Sequence, residues 1–358
     1  MNYFAGLDIG GTKLAVTLAQ LQDGVLEIQE KVKLSTPGEG WQPAVALLEN
    51  TLKKLLKKRC IPPSALDGIG ISCGGPLDSQ KGLILSPPNL PGWDKVPITA
   101  YFEKAFGVPC FLQNDADACA VAEWTFGAGK GCDNLVFLTF GTGFGAGLIL
   151  GGRLYSGANN MAGELGHCRC PQTDGAPYAP IGYGKAGSFE GFCSGGGIAA
   201  LGKAIALERI QQGRPASFCP TLEDLDRLTA QSIAVAAKSG DPDALEVYRC
   251  SGHHLGAALA LLVDLLNPER IILGSIYARS GELLQQAALE VLEQEALEPN
   301  RKACQILPAQ LGEHLGDAAA LSIALLGSGL PPAQSLSYSY AGHSEDPFNG
   351  KEGISCPS

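Results

Sequence analysis

Phe4-Ala-Gly-Leu-Asp8-Ile-Gly10-Gly11-Thr12-Lys13-Leu-Ala-Val16 is the stretch whose reading decides the fold. An apolar strand runs into Asp8, turns through Gly10-Gly11-Thr12, and leaves as a second apolar strand. Two glycines permit a tight turn with positive φ, and the absent Cβ atoms let a ligand reach the backbone amides. Thr12 adds a hydroxyl donor, and Asp8 a carboxylate able to hold a hydrated Mg²⁺. The pattern predicts a phosphate-binding hairpin; the plainer alternative is a hairpin whose Asp only caps its turn. A Walker loop is excluded, because no Gly-Lys-Ser/Thr ending follows a four-residue gap and no helix follows directly.

Beyond the hairpin, 25–34 reads as a third strand, 43–59 as a helix and 67–73 as a short buried strand entering Gly74-Gly75-Pro76. The Pro-rich run 87–93 is a rigid loop, followed by a helix at 98–106 and a strand at 109–113. This order predicts a mixed α/β domain. A second series starts with a helix at 116–126 and a strand at 134–140. Gly141-Thr142-Gly143-Phe144-Gly145 then turns into a strand at 146–150, echoing the first hairpin. The duplication predicts two related lobes facing each other across a nucleotide cleft. From 194 to 297 the chain reads as mostly helical, interrupted by the strand 270–273 that ends at Gly274, and a last helix covers 318–326. Beyond 330 the period is lost, and 330–358 is expected to be a poorly ordered tail.

With 358 residues, 45% hydrophobic and 17% charged, the chain has material for two packed lobes. Its formal charge of −10 gives no general footprint for nucleic acid. The local cluster Lys53, Lys54, Lys57, Lys58 and Arg59 lies on a helix with apolar residues at helical spacing, so it reads as a solvated face. The N-terminus enters a strand at once, leaving no room for a signal peptide, and no run is long and apolar enough for a membrane span. The 12 cysteines sit singly, many in apolar stretches such as Cys73, Cys110, Cys119 and Cys250, which predicts a reduced, cytoplasmic protein.

Three groups of residues carry candidate chemistry. Asn114-Asp115 ends a strand where a helix begins, a place where ligand sites form; the carboxylate there can deprotonate a substrate hydroxyl or simply N-cap the helix. Gly163-Glu164-Leu-Gly166-His167 offers a carboxylate and an imidazole between glycines, read as substrate hydrogen bonders rather than a metal pair. Glu190, in Gly-Ser-Phe-Glu-Gly, shares that setting, against the alternative of a solvated loop acid. Gly141, Gly143 and Ala146 also fit a loose Gly-x-Gly-x-x-Ala pattern, but a dinucleotide fingerprint opens a helix and this one enters a strand.

Together these motifs, in this order, resemble the ROK family of repressors and sugar kinases within the actin-like ATPase superfamily, over residues 3–328. Asp8-Ile-Gly10-Gly11-Thr12-Lys13 is similar to the first phosphate motif, and Gly141-Thr142-Gly143 to the second. Gly74-Gly75-Pro76 and Pro88-Asn89-Leu90 are similar to loops that shape the sugar pocket. Asn114-Asp115 is similar to the stretch that holds the catalytic base. Glu164, His167 and Glu190 are similar to sugar-hydroxyl ligands, Gly274 to the adenosine-side strand and Leu315-Gly316-Asp317 to the start of the final helix. The resemblance implies an α/β actin-like (ribonuclease H-like) fold with lobes at 1–114 plus 317–329 and at 115–316. It implies an ATP- and Mg²⁺-dependent hexose kinase, a homodimer, acting on the 6-hydroxyl of glucose or a close relative. Asp115 is then the base, Gly74, Gly75, Asn89, Asn114, Glu164, His167 and Glu190 the sugar contacts, and Asp8 the Mg²⁺ holder through water. Fructose, mannose, allose or N-acetylhexosamine as substrate, a non-catalytic sugar sensor, and an actin- or chaperone-type ATPase are the alternatives.

One departure stands out. Many family members carry a zinc motif where this chain has Ile181, Tyr183 and Ser188 in place of three cysteines, while His167 and Glu190 are kept. A structural Zn²⁺ supplies about 10–16 kcal/mol of apparent binding energy, so the loop must be held by other means. No zinc is expected; packing of Phe189 and Tyr183 is the simple replacement, and a displaced site of Cys168, Cys170 or Cys193 with His167 the alternative.

Overall fold

Strands β1 (Asn2–Ile9), β2 (Lys13–Gln22) and β3 (Val25–Ser35) form an antiparallel meander. The computed structural model describes residues 2–38, 40–170, 180–182, 184–330 and 336–340. After α1 (Trp41–Lys58), β4 (Leu66–Cys73) pairs parallel with β1. Three two-residue strands, β5 (Leu77–Asp78), β6 (Leu83–Ile84) and β7 (Val96–Pro97), make a small sheet before α2 (Ile98–Phe106). Strand β8 (Cys110–Asn114) then joins β4 in parallel and runs straight into α3 (Asp115–Phe126). On α1 the residues Ala44, Val45, Leu48, Leu52, Leu55 and Leu56 are buried at helical spacing. The basic cluster lies off that stripe: Lys53 pairs with Glu49, and Lys58 and Arg59 pair with Glu30.

Helix α10 (Leu315–Gly327) covers this sheet at backbone distance. Gly6 and Gly70 are register partners on β1 and β4. A Cβ on Gly70 would overlap Ala320 O and stand 2.6 Å from Ala324 N; one on Gly6 would stand 3.1 Å from Ala320 Cβ. Small residues on both surfaces therefore set the approach, and Ala318, Ala319, Ala320 and Ala324 are buried in it. Glu123 of α3, fully buried, accepts from Ala128 N at 2.8 Å and Leu311 N at 2.9 Å, tying α3 to the segment that enters α10. Burial pushes its carboxyl up, and these backbone donors offset part of that cost.

The expected unordered tail is corrected over its described part. Residues Ser337–Tyr340 form a strand, β15, parallel to β3 at the edge of a six-stranded sheet ordered β15-β3-β2-β1-β4-β8. Leu336 and Tyr338 are buried, and Phe126 of α3 lies 5.5 Å from the Tyr338 ring. Residues 331–335 and 341–358 lie outside the described residues.

Strands β9 (Leu135–Leu138) and β10 (Ala146–Ile149) flank the second glycine turn, as expected. The following elements are β11 (Ile181–Gly182), β12 (Lys185–Ala186), α4 (Phe189–Phe192), α5 (Gly195–Gln211), α6 (Ala230–Lys238) and α7 (Pro242–Leu266). Strand β13 (Arg270–Leu273), α8 (Ser275–Glu295), α9 (Glu298–Ala303) and β14 (Gln305–Pro308) complete this part, with β13 and β14 parallel. The chain forms two compact units, one of residues up to Phe137, Gly147–Ala162 and the described residues from Gln310 onward, the other of Leu138–Ala146 and those of Gly163–Ala309. This division differs from the expected boundary at 114/115: α3 belongs with the first unit. No helix among the described residues is long and apolar enough to cross a membrane.

Replacing Gly70 by Ala should force β4 and α10 apart and lower stability by about 1–3 kcal/mol, read from urea unfolding. A loss below about 0.5 kcal/mol, the range of neutral surface substitutions, would contradict the packing described.

Candidate functional site

In the first unit, the Gly10–Thr12 turn is closed by Gly10 N donating to Lys13 O at 3.0 Å. Neither Gly10 nor Gly11 has positive φ, so the sequence-based reason for these glycines is corrected. At Gly11 the requirement is close approach, since a Cβ there would overlap Asn89 O. Thr36, which the sequence reading missed, holds the turn from β3's end: its Oγ1 donates to Gly10 O at 2.7 Å and its N to Thr12 O at 3.1 Å. Thr12 and Lys13 stay exposed.

Parallel pairing of β1, β4 and β8 brings their C-terminal ends together, with Asp8 opposite Ser72 and Cys73 opposite Asn114. A Cβ on Gly74 would lie 3.5 Å from Asn89 Nδ2 and 4.0 Å from Asp115 Oδ2; one on Gly75 would lie 3.1 Å from Asn114 Nδ2. Six predicted residues thus share one place: Gly11, Gly74, Gly75, Asn89, Asn114 and Asp115. Asn114 is the N-cap of α3, its Oδ1 accepting from Ala116 N at 2.9 Å. Asp115 shares that donor through Oδ1 alone, leaving Oδ2 on the Gly74 side.

Electrostatics mark the same spot. Burial, then the charges of Asp115 and Asp317, raise the Asp8 carboxyl to about 7, against the opposing effects of Lys31 and Ser72. Desolvation by the surrounding protein also raises the Asp115 carboxyl, against the backbone donors that lower it, although the residue retains solvent exposure. The thiols of Cys73 and Cys119 are pushed well up by burial and by these carboxylates, which leaves them inert. Such a concentration of negative charge is what a hydrated divalent cation offsets, so Asp8 fits a water-mediated Mg²⁺ position.

In the second unit, Thr139 Oγ1 accepts from Gly145 N at 2.8 Å and closes the 141–145 turn. Glu190 reaches this turn: its Oε2 accepts from Phe144 N at 3.1 Å, so it is no solvated loop acid. Glu190 stands in the first turn of α4, which Ser188 caps by accepting from Gly191 N at 3.3 Å. Backbone bonds run from Phe189 N to Cys168 O and from Cys170 N to Gly187 O, both 2.9 Å, and carry the Glu164–His167 segment beside Glu190. Gly166 fills the gap, for a Cβ there would overlap Phe144 O and stand 3.3 Å from Glu190 Cβ.

Next to this turn lies a cavity of about 830 Å³. Gly141 and Thr142 line it with Gly195 and Gly196 at the start of α5, and Ser275 and Ile276 at the start of α8. Leu228, Ala234, Val235 and Tyr248 form an apolar wall. Two helices begin at this cavity, and the positive ends of their dipoles suit phosphate although Gly195 N and Ile276 N already donate to Gly141 O and Phe140 O, each at 2.7 Å; the apolar wall suits a flat base. Gly274 is not among the lining residues but caps α8, its N donating to Leu138 O at 2.9 Å. The sequence signal for α5 was Ser194-Gly195-Gly196-Gly197, a cap residue ahead of a glycine-rich first turn.

The model of the ROK family matches residues 4–326. The chain belongs to the ROK family. It is similar to the glucokinase of Halalkalibacterium halodurans, 30% identical over 319 residues that cover 88% of this chain and 92% of that one. It is also similar to the xylose repressor of Caldicellulosiruptor bescii, 29% identical over 291 residues, 81% of this chain and 70% of the repressor. A ROK family glucokinase from Streptomyces griseus, solved with glucose and AMPPNP, superposes with a TM-score of 0.70 at 28% identity, covering 91% of this chain and all of that one. The actin-like ATPase fold follows.

The positions that the resemblance assigns to zinc-binding cysteines hold Ile181, Tyr183 and Ser188. Ser188 is fully buried, and its Oγ donates to Gly182 O at 3.2 Å besides capping α4, so a hydroxyl spans the frame. Lys185 Nζ adds a bond to His167 O at 2.7 Å. Phe189 is buried; Tyr183 lies outside the described residues. Among the described residues no three His, Cys, Asp or Glu side chains form a metal-holding group. Cys193 is buried against Ser251 O at 3.7 Å, whereas Cys168 is exposed.

Asp8 carries a pH signature. Its folded-state value near 7 exceeds that of the unfolded chain, so its protonation stabilises the fold fully below about pH 4 and that gain is lost as pH rises through about 7. In chelator, wild-type stability should fall by about 1–2 kcal/mol more than that of Asp8→Asn between about pH 5.5 and 8, read from urea midpoints. Parallel pH profiles for the two proteins would contradict this.

Proposed function

We propose that the chain transfers the γ-phosphoryl group of ATP to a hexose hydroxyl, the 6-hydroxyl of glucose or a close relative. The observation that carries this reading is the division of labour at the β8–α3 junction. Asn114 caps the helix, and Asp115 keeps an oxygen open beside Gly74 and Asn89. The similarity to glucokinases along most of the chain supports it.

In this reading the sugar hydroxyl oxygen attacks the γ-phosphorus and passes its proton to Asp115 Oδ2. The bond to the β–γ bridging oxygen breaks, and ADP leaves. A carboxyl raised above the usual range is a stronger base for that proton than an ordinary Asp. Asn89, the Asn114 amide and the backbone at Gly74-Gly75 hold the sugar, with Glu164, His167 and Glu190 as further hydroxyl partners. The turns at Gly10–Lys13 and Gly141–Gly143 hold phosphates, and the cavity beside α5 and α8 takes the base. Mg²⁺ held through water by Asp8 would screen the phosphate charges. Positioning and charge neutralisation carry most of such a transfer.

Similarity to a xylose repressor favours one second reading, a sugar-binding protein without turnover. A coupled ADP assay with glucose, fructose, mannose, allose and N-acetylated hexosamines separates the two. Hexose-dependent ADP release is expected; sugar binding without release would establish the sensor, and sugar-independent release an ATPase. Asp115→Asn should retain sugar and nucleotide binding while kcat falls by about 10²–10⁴. Retention of more than about a tenth of the wild-type rate would remove Asp115 as the base.

A further inference from the structure

Asp317, in the first turn of α10, is 5% exposed and accepts two donors on one oxygen. Lys31 of β3 supplies an ion pair, and the Tyr340 hydroxyl of β15 a hydrogen bond of 2.7 Å. Tyr340 is itself fixed: its ring lies 4.5 Å from His314 and 5.7 Å from Tyr338. The strand that carries it is held at several points. Ser337 N donates to Gly24 O at 2.9 Å, Lys130 Nζ to Leu336 O at 2.6 Å, and Tyr338 packs on Phe126 of α3.

On its other side Asp317 faces the acidic centre. The preceding residue, Gly316, stands so close to Asp8 that a Cβ would lie 3.5 Å from Asp8 Oδ2. Asp317 and Asp115 both act electrostatically on Asp8. Helix α3 bears Asp115 at its first position and Phe126 at its last, so β15 grips both helices that approach Asp8. Orienting groups one shell away from a metal position set its geometry and affinity.

We infer that β15 is a positioning element of the phosphoryl-transfer centre, with Tyr340 acting through Asp317 to fix the start of α10 against Asp8 and hence the Mg²⁺–phosphate position. The inference rests on the proposed kinase reading. Tyr340 touches neither sugar nor nucleotide in it. Among the described residues it supplies one of two side-chain donors that hold a buried carboxylate, and Lys31 alone fixes that carboxylate in fewer directions.

The test is calorimetric titration of the full chain with ADP plus Mg²⁺ and with ADP in EDTA. Tyr340→Phe keeps the ring contacts and removes the hydroxyl. It should weaken Mg·ADP roughly tenfold, the order seen for outer-shell partners of metals, while leaving ADP in EDTA unchanged. In steady state, KM for Mg·ATP should rise with KM for the sugar unchanged, and Ser337→Ala should match wild type throughout. Asp317→Asn is a second variant and should shift Mg·ADP binding in the same direction. Equal Mg·ADP affinities in wild type and both variants would overturn the inference while leaving the kinase reading intact. Equal weakening with and without Mg²⁺ would reduce β15 to general scaffolding. Wild-type protein that binds Mg·ADP no more tightly than ADP would also overturn the inference, and wild-type protein that binds neither would overturn both readings.

Discussion

Helix α10 and the strand pair β1–β4 meet at a surface from which side chains are removed, and the rest of the first unit depends on that meeting. Gly6 and Gly70 face Ala320 and Ala324 at distances that leave no room for a Cβ at Gly70. Small-on-small packing lets the helix start beside the C-terminal end of β1. Gly316 and Asp317 consequently reach Asp8, while β8 delivers Asn114 and Asp115 from the opposite side of β4. Three carboxylates gather where parallel strands end. Burial and the charges of the other two raise the Asp8 carboxyl to about 7. In the proposed reading a divalent cation would bring the compensating positive charge.

The second unit uses glycine differently. Gly141 and Gly143 keep a turn close to α8 and to Glu190, where Cβ atoms would stand 3.2 Å from Ser275 Oγ and 3.1 Å from Glu190 Oε2. Gly163 and Gly166 let the Glu164–His167 segment lie against the same turn. Within this frame Ser188 bridges Gly182 O and Gly191 N with one hydroxyl. Around it, Ser251 donates to Phe192 O at 2.8 Å, and His254 stacks on the Phe192 ring at 3.5 Å. Burial holds His254 below its ordinary value and thus neutral. Hydrogen bonds and stacking, spread over several residues, hold this frame.

Much of this was legible in the sequence because it is local. The hairpin at Asp8–Lys13, the strand before Gly74 and the helix Ile98–Phe106 each carry their own period and punctuation. What was not legible depends on neighbours distant in the chain. Gly11 is needed because Asn89 passes by, which no turn rule foresees. The choice between Asn114 and Asp115 as cap lies in side-chain geometry, for both residue types cap helices well. The cavity gathers residues from α5, α6 and α8, and no short motif spans them. Strand β15 is the instructive miss: Leu336-Ser-Tyr-Ser-Tyr340 alternates with period two, a strand signal hidden by its shortness and by the Pro-rich run before it.

The central claim is that these two sets of residues direct a phosphoryl group to a sugar rather than to water. Phosphorus–proton correlation NMR of the product formed from ATP, Mg²⁺ and glucose tests it most directly. The account predicts a phosphate ester whose phosphorus couples to the two protons on C6. Inorganic phosphate as the sole phosphorus product beside ADP would contradict it.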